Sequence, residues 1–441
     1  MNNLKELKLG PLWFTPGVTG PNLATMLFAA FGTMATISFM SFMQPYVLTE
    51  LLQIPEEEQG RLTGNLHAFQ EVVFIAVAGL VGAFSDKLGR PPVYAFGFVV
   101  AAIGYALYPL SNEVWQLYIV RAIFAVGVAG CAIMLSACIV DYIQERSRGR
   151  WLGTTSIFNG LGILAMSFIL SQLPKLYEGA GASTLEAGRY SFWTVSTFAI
   201  VVAVIMYVGL FRGGNKGASD DHVFKQFFAG LKLGIENPRV AVAYGGAFIG
   251  RGDFAVIGTF FSLWMVQVGL DQGKTTAESL AIAGPLFGLI QLCALLWAPI
   301  MGIICDRVHR LVAVAIGLIL AGVGYIYMSF IADPFSAAIY PAGILLGMGE
   351  TGVIVSVGVL LGQEAKGEYR GSIVGVFGQL GGLGILVASA AGGYLFDGVG
   401  RTAPFFMMGV LNLVLMVGAL MVYFSKHRDA PPAETATETT E

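Results

Sequence analysis

Five side chains carry a formal charge inside otherwise apolar stretches of this sequence: Glu71, Arg121, Arg251, Asp253 and Glu350. A charge at the centre of a membrane costs about 3 kcal/mol or more, so such residues are read first as sites for ions or charged solutes. Their types divide the chemistry. Arg251, and after it Arg121, would hold an anion or a carboxylate; Glu71, and after it Glu350, would take up and release a proton, because a carboxyl group in a low-dielectric cavity keeps its proton more tightly than in water. Arg251 and Asp253 are two residues apart, a spacing that does not bring side chains together on a helix, so each is expected to meet substrate or a partner on another helix. His67 lies one helical turn before Glu71 and would share its face. No set for bond-making chemistry accompanies these charges: there is no glycine-rich phosphate loop, Ser/His/Asp set or metal-ligand spacing, which argues against an enzyme or an ATP-driven pump. The four cysteines, Cys131, Cys138, Cys293 and Cys305, sit in or beside apolar runs and form neither a disulfide framework nor a zinc site.

The elements that must position these charges are membrane helices. Of 441 residues, 56% are hydrophobic and 12% charged, with 58 glycines, a composition that places the chain in a bilayer. Crossing ~30 Å of hydrocarbon takes about 20 helical residues. Twelve runs qualify, at 23–47, 64–85, 91–110, 113–141, 150–173, 188–211, 239–268, 279–304, 311–332, 335–362, 371–396 and 403–425. Of the 25 basic residues, Arg121 and Arg251 fall in spans, Arg61, Lys175, Arg189, Lys274 and Arg401 on one side, and the rest in the tails and on the other side. That bias predicts both termini in the cytoplasm. The expected domains are a six-helix bundle over 1–211, a cytoplasmic linker over 212–238, a second bundle over 239–425 and a disordered tail over 426–441. In the linker, Val223, Phe227, Leu231 and Ile235 recur at helical spacing, as in an amphipathic helix lying on the inner leaflet.

The halves repeat. A shift of 220 places Gly82, Asp86, Lys87 and Arg90 on Gly302, Asp306, Arg307 and Arg310, and a shift of 222 places Arg148, Gly149, Gly153, Gly160, Gly162, Ile163 and Leu164 on Arg370, Gly371, Gly375, Gly382, Gly384, Ile385 and Leu386. Two related six-helix bundles around a midplane cavity are the arrangement of alternating access. By the same shift Glu71 falls on Gln291, so one titratable and one neutral side chain of equal length form a pseudosymmetric pair. The second span ends in GAFSDKLGR, Gly82 to Arg90, and the eighth in GIICDRVHR, Gly302 to Arg310. The first resembles the loop signature between helices 2 and 3 of the major facilitator superfamily, and the second its weaker copy. The resemblance covers essentially the whole chain and implies an all-α membrane protein of twelve transmembrane helices in two pseudosymmetric six-helix bundles that rock about a central site. Arg121 matches that family's helix-4 arginine in position, but Ala125 stands where the family has a glycine.

In physical terms the motif suits a cytoplasmic latch. Asp86 would face the positive end of a neighbouring helix dipole, Arg90 would pair with Asp141, and in the second copy, Asp306 to Arg310, Arg307 or Arg310 would pair with Glu364. Counting ~1.5 Å per residue, Glu71, Arg251 and Glu350 fall in one layer about 20 Å from the inner ends, and Arg121 about 30 Å from them, near the outer mouth. Glycines of the fifth and eleventh spans, Gly153, Gly160, Gly162, Gly378, Gly381, Gly382 and Gly384, would let helices approach closely. The expected activity is secondary transport of a small organic solute, anionic or carboxylate-bearing, in symport with protons. Expected partners are that solute, protons or sodium as coupling ion and the lipid bilayer, with no cofactor or nucleic acid, for a monomer in a bacterial inner membrane. Efflux of an amphiphilic compound is the other transport reading, and a non-transporting sensor or assembly factor the reading outside transport.

Overall fold

The computed structural model describes residues 7–213, 223–365 and 370–425. The expected tail over 426–441 and the linker's 214–222 lie outside the described residues. Among the described residues, twelve helices are long and apolar enough to cross a membrane: α1 (Gly20–Leu51), α2 (Glu56–Leu88), α3 (Arg90–Leu110), α4 (Val114–Asp141), α5 (Glu145–Gly179), α6 (Thr184–Gly209), α7 (Pro238–Asp271), α8 (Thr276–Arg307), α9 (Arg310–Ser329), α10 (Ile339–Glu364), α11 (Gly371–Gly398) and α12 (Ala403–Phe424). The chain is an integral membrane protein. Helices are the available solution because every backbone N–H and C=O in hydrocarbon must be satisfied within the segment. Their ends follow local chemistry. Thr19 and Asn22 form a capping box that starts α1, and Ser183 with Glu186 does the same for α6. Between α2 and α3, Gly89 adopts φ 88°, a conformation that carries no steric penalty for glycine, before Pro91 and Pro92 open the next helix.

The chain packs as two units. One comprises Met1–Pro55, Phe69–Ser219 and Gly269–Gly288, the other Glu56–Ala68, Asp220–Val268 and Leu289–Glu441. The start of α2 thus clusters with the second unit and the start of α8 with the first, because glycines there admit close crossings. A Cβ on Gly64 would stand 3.0 Å from the Cα of Gly393 in α11, and one on Gly288 2.6 Å from the Phe168 ring in α5.

Inside each unit the internal repeat becomes geometry. In the first, α3 and α4 cross where a Cβ on Gly130 would lie 2.8 Å from the Cα of Gly97; in the second, α9 and α10 cross where a Cβ on Gly352 would lie 3.0 Å from the Cα of Gly317. Tyr105 of α3 donates its hydroxyl to the Thr36 carbonyl of α1. Its counterpart Tyr325 of α9 donates to the Asp253 carbonyl of α7 at 2.7 Å. These phenols fasten the first helix of each unit to the third by a buried main-chain contact.

Two smaller elements flank the bundles. A hairpin of β1 (Lys8–Leu9) and β2 (Leu12–Trp13) seats on the α4–α5 connection. Gln144 N–H donates to Trp13 O at 3.0 Å, Thr15 N–H to Tyr142 O at 3.1 Å and the Thr15 hydroxyl to Asp141 O at 2.8 Å. The Arg146 guanidinium lies 3.7 Å over the Trp13 ring, and Phe14 meets Trp151 edge to face at 5.4 Å. The connecting helix Val223–Glu236 forms as its periodicity predicts. Its second half packs on the second unit, with Gly230 against Ser372 of α11 and its carbonyl accepting from the Tyr244 hydroxyl of α7 at 3.0 Å, while Ile235 stays 81% exposed.

Candidate functional site

In the second unit, α7, α9, α10 and α12 bring polar groups together within the apolar packing. Asp253 and Asn412 are fully buried and Glu350 is 2% exposed. One amide nitrogen, Asn412 Nδ2, donates to Asp253 Oδ1 at 2.9 Å, to Asp253 Oδ2 at 3.0 Å and to Met408 O at 2.9 Å. Neither carboxylate oxygen of Glu350 has a hydrogen-bond partner among the described residues, nor does Asn412 Oδ1. α7 and α10 run side by side, a Cβ on Gly246 meeting Val357 Cγ2 and one on Gly250 standing 3.2 Å from Val353 Cγ1, a register that sets Asp253 opposite Glu350 about one turn further on. Arg251, although two residues from Asp253, leaves α7 in another direction: it is exposed, with its stem against α11, 3.0 Å from where a Cβ on Gly381 would stand. Gln291 of α8 is 8% exposed, and its Nε2 has no partner among the described residues.

In the first unit, Arg121 of α4 is 1% exposed. Its Nη1 donates to Gln44 Oε1 of α1 at 3.1 Å, the same oxygen accepts from the Tyr108 hydroxyl at 2.5 Å, and the Tyr108 ring lies 5.9 Å from the guanidinium carbon. This places Arg121 inside the packing between α1 and α4. Glu71 is half-buried. His67, one helical turn before Glu71 on α2, shares a hydrogen bond of 2.8 Å with Ser389 Oγ of α11 in the second unit.

The charged motif residues form a compact knot. Arg90 Nε donates to Asp141 Oδ2 at 3.0 Å, and Nη1 donates to Asp86 Oδ1 at 2.8 Å and to Ser85 Oγ at 2.5 Å. The expected Arg90–Asp141 pair is therefore present. The second copy is looser and differently connected. Asp306, near the end of α8, is largely exposed and lies 4.0 Å from Arg310 at the start of α9. Glu364 pairs with neither Arg307 nor Arg310. Its Oε1 lies 2.8 Å from Arg239 Nε, and its Oε2 accepts from Asn237 Nδ2 at 3.0 Å. The physical reason is burial: Arg239 and Glu364 are 3% and 2% exposed, where each carboxylate and guanidinium must find a close partner, whereas Arg310 has solvent and Asp306.

Another cluster sits at the opposite helix ends, within the second unit. Asp397 near the end of α11 accepts from the backbone N–H of Gly60 at 2.8 Å and of Arg61 at 2.7 Å, and from Arg61 Nε at 3.3 Å. Arg401 Nη2 donates to Glu56 Oε2 at 2.9 Å beside it. Sequence reasoning missed Asp397 as well as Asn412. The latter had a signal, an asparagine inside the apolar α12 run.

The fold and the sequence both have counterparts among known proteins. The magnetosome protein MamH of Paramagnetospirillum magneticum is 28% identical over 90% of this chain and 91% of its own length. MamZ of Magnetospirillum gryphiswaldense is 26% identical over 93% of this chain, which spans 63% of MamZ. The crystal structure of the nucleoside transporter NupG superposes with a TM-score of 0.72 over 92% of this chain and 100% of that one, at 12% identity, a likeness of fold alone. The family model described as Major Facilitator Superfamily matches residues 25–381 and 243–441. With twelve spans, the duplicated glycine crossings and a match along most of its length, the chain belongs to the major facilitator superfamily.

Proposed function

We propose that this protein is a secondary active transporter that moves a small organic solute bearing a carboxylate or another anionic group, in symport with protons, across a bacterial inner membrane with both termini in the cytoplasm. The observation that carries this reading is Arg251: a cation midway along a membrane helix, exposed, with no ion-pair partner among the described residues. A guanidinium in that position needs an anion or water, and its planar fork suits a carboxylate. The acidic members of the set, Glu71 and Glu350, supply sites for the coupled proton, with Gln291 as the neutral counterpart of Glu71. Arg121, sealed against Gln44 and Tyr108, has a supporting place within the first unit. Asp86, Arg90 and Asp141 serve as the cytoplasmic latch and Asp306 with Arg310 as its looser second copy, while Glu364 is held apart from them by Arg239.

A stabilisation screen tests the reading. Purified protein is heated with a panel of mono- and dicarboxylates matched against neutral and cationic analogues. The expected result is a rise in Tm with anionic members only, abolished in Arg251→Gln and weakened in Arg251→Lys, followed by counterflow of the hit in proteoliposomes. Stabilisation by cationic or neutral amphiphiles that persists in Arg251→Gln would overturn it.

A further inference from the structure

We propose that Asp253 and Glu350 form one site that holds a single exchangeable monovalent cation, a proton or a sodium ion, between them, with Asn412 as its positioning residue. This rests on the transport reading above and deepens it by joining Asp253 and Asn412 to Glu350 as one coupling-ion site in the core of the second unit.

The argument starts from what each unit needs in order to pack. The two units are built alike, so a position in one has a counterpart in the other. The Tyr105 and Tyr325 hydroxyls each bond a main-chain carbonyl of the first helix of their unit, and this equates Thr36 with Asp253. The glycine crossings at Gly130 and Gly352 equate Val128 with Glu350. The α3–α6 contact of Ser196 Oγ with Ala102 O, and the α9–α12 contact of Gly409 with Gly322 O, equate Ala199 with Asn412. Thr36, Val128 and Ala199 are 1%, 6% and 0% exposed. The first unit therefore closes the same frame with a hydroxyl, an isopropyl and a methyl group. The second puts two carboxyls and a carboxamide into those three places at once. Packing does not ask for them.

Electrostatics then limits what they can be. Two ionised carboxylates buried together without a cation are not sustainable, since each costs several kcal/mol to desolvate and they repel one another. The Asn412 amide from α12 meets the Asp253 carboxyl group, and the Tyr325 hydroxyl from α9 donates to the Asp253 main-chain carbonyl; neither carries a positive charge. Arg251, the nearest basic residue along α7, lies against Gly381 instead. Among the described residues no Lys, Arg or His is within ion-pair distance of either carboxylate. The charge must be neutralised by something small enough to enter a packed helix interface. Asn412 assigns unequal parts to the two acids. Its amide donates to both oxygens of Asp253 and so favours the ionised form there, which leaves Glu350, with two unpartnered oxygens, as the member that binds and releases the ion. Asn412 Oδ1 is itself buried and without a partner among the described residues. This all-oxygen set is one that a proton or a hard cation such as sodium would use.

The test is an infrared difference titration of the intact protein in liposomes, following the carbonyl stretch of protonated carboxyl groups, with choline chloride or sodium chloride as the only added salt. It needs no substrate, so its outcome is independent of the anion screen. In choline chloride at neutral pH the wild type should show one buried protonated carboxyl band that is lost in Glu350→Gln and also lost or displaced in Asp253→Asn. Asn412→Ala should retain the band but move its titration midpoint by about one pH unit or more, an effect that a packing defect alone would not produce. If added sodium bleaches the band, sodium competes for the site; if the band is indifferent to sodium, the ion is the proton. A band of equal size in wild type and in both carboxyl variants, with all three proteins equally stable to heat, would overturn the proposal. Glu350→Gln together with Asp253→Asn, which removes both charges, should remain folded, and its loss of structure would mark the pair as a packing device instead.

Discussion

Asp397 offers the clearest way to open one end of the second unit by a known amount. Its carboxylate accepts from two backbone N–H groups of α2, at Gly60 and Arg61, and from the Arg61 side chain. Asp397→Asn keeps the shape but removes the charge and turns an NH2 group toward a backbone donor that cannot accept from it. Losing one charge-assisted bond costs about 1.5–3 kcal/mol, and at about 1.4 kcal/mol per decade that raises the separated population of α2 and α11 by about 10- to 150-fold. Thr63, on α2 and 1% exposed, reports the change when replaced by cysteine. Cys293 is the free cysteine that is not buried, so Cys293→Ser supplies a quiet background. The thiol labelling rate at position 63, compared with and without Asp397→Asn, should rise at least tenfold on the substitution. Arg61→Ala is the internal control. It removes only the longer 3.3 Å bond, from a side chain 47% exposed, and should cost less than about 1 kcal/mol, under fivefold in rate. A rise of less than twofold on Asp397→Asn, with Thr63→Cys itself well folded, would refute the reasoning.

Other outcomes follow from burial and close approach. Glu364→Ala, which strands Arg239 at 3% exposure, should lower stability by about 3–5 kcal/mol in detergent unfolding, whereas Arg239→Leu with Glu364→Leu should recover most of the loss. Gly130→Val drives side-chain atoms into Gly97 and should cost about 1–3 kcal/mol or more, while Gly149→Ala, where a Cβ meets nothing within 4 Å, should be neutral or slightly stabilising by thermal shift. Thr15→Val removes the hydroxyl bond to the Asp141 carbonyl and should destabilise by about 1 kcal/mol, read as faster hydrogen exchange at Trp13 and Gln144.

The twelve spans and the duplicated halves were legible because membrane helices declare themselves by length and hydropathy, and because glycines that pack backbone on backbone tolerate no replacement geometry. The Arg90–Asp141 pair was legible for a related reason, since the two residues stand at the first position of α3 and the last of α4, helix ends on the same side of the membrane. Glu364 was misassigned because the repeat supplied Arg310 as its formal counterpart, whereas the buried partner came from the start of α7, where nothing in the spacing marks Arg239. Asp397 escaped notice because two of its three donors are main-chain N–H groups, which carry no residue signature. Arg121 was legible as a charge inside α4, but not its seat against Gln44 and Tyr108: depth follows from counting residues, while the partners of a long side chain depend on the neighbouring helices.

The hairpin under the α4–α5 connection sets an order on synthesis. Trp13 and Thr15 bond to residues 126–134 positions further along the chain, which at about 5–20 residues per second leave the ribosome on the order of ten seconds later. Until then the hairpin has no seat, and the four helices made in the interval must enter the bilayer without it. The hairpin therefore settles only after the four helices that follow it, and its docking can report, in a nascent chain of increasing length, the moment at which α5 has joined α4.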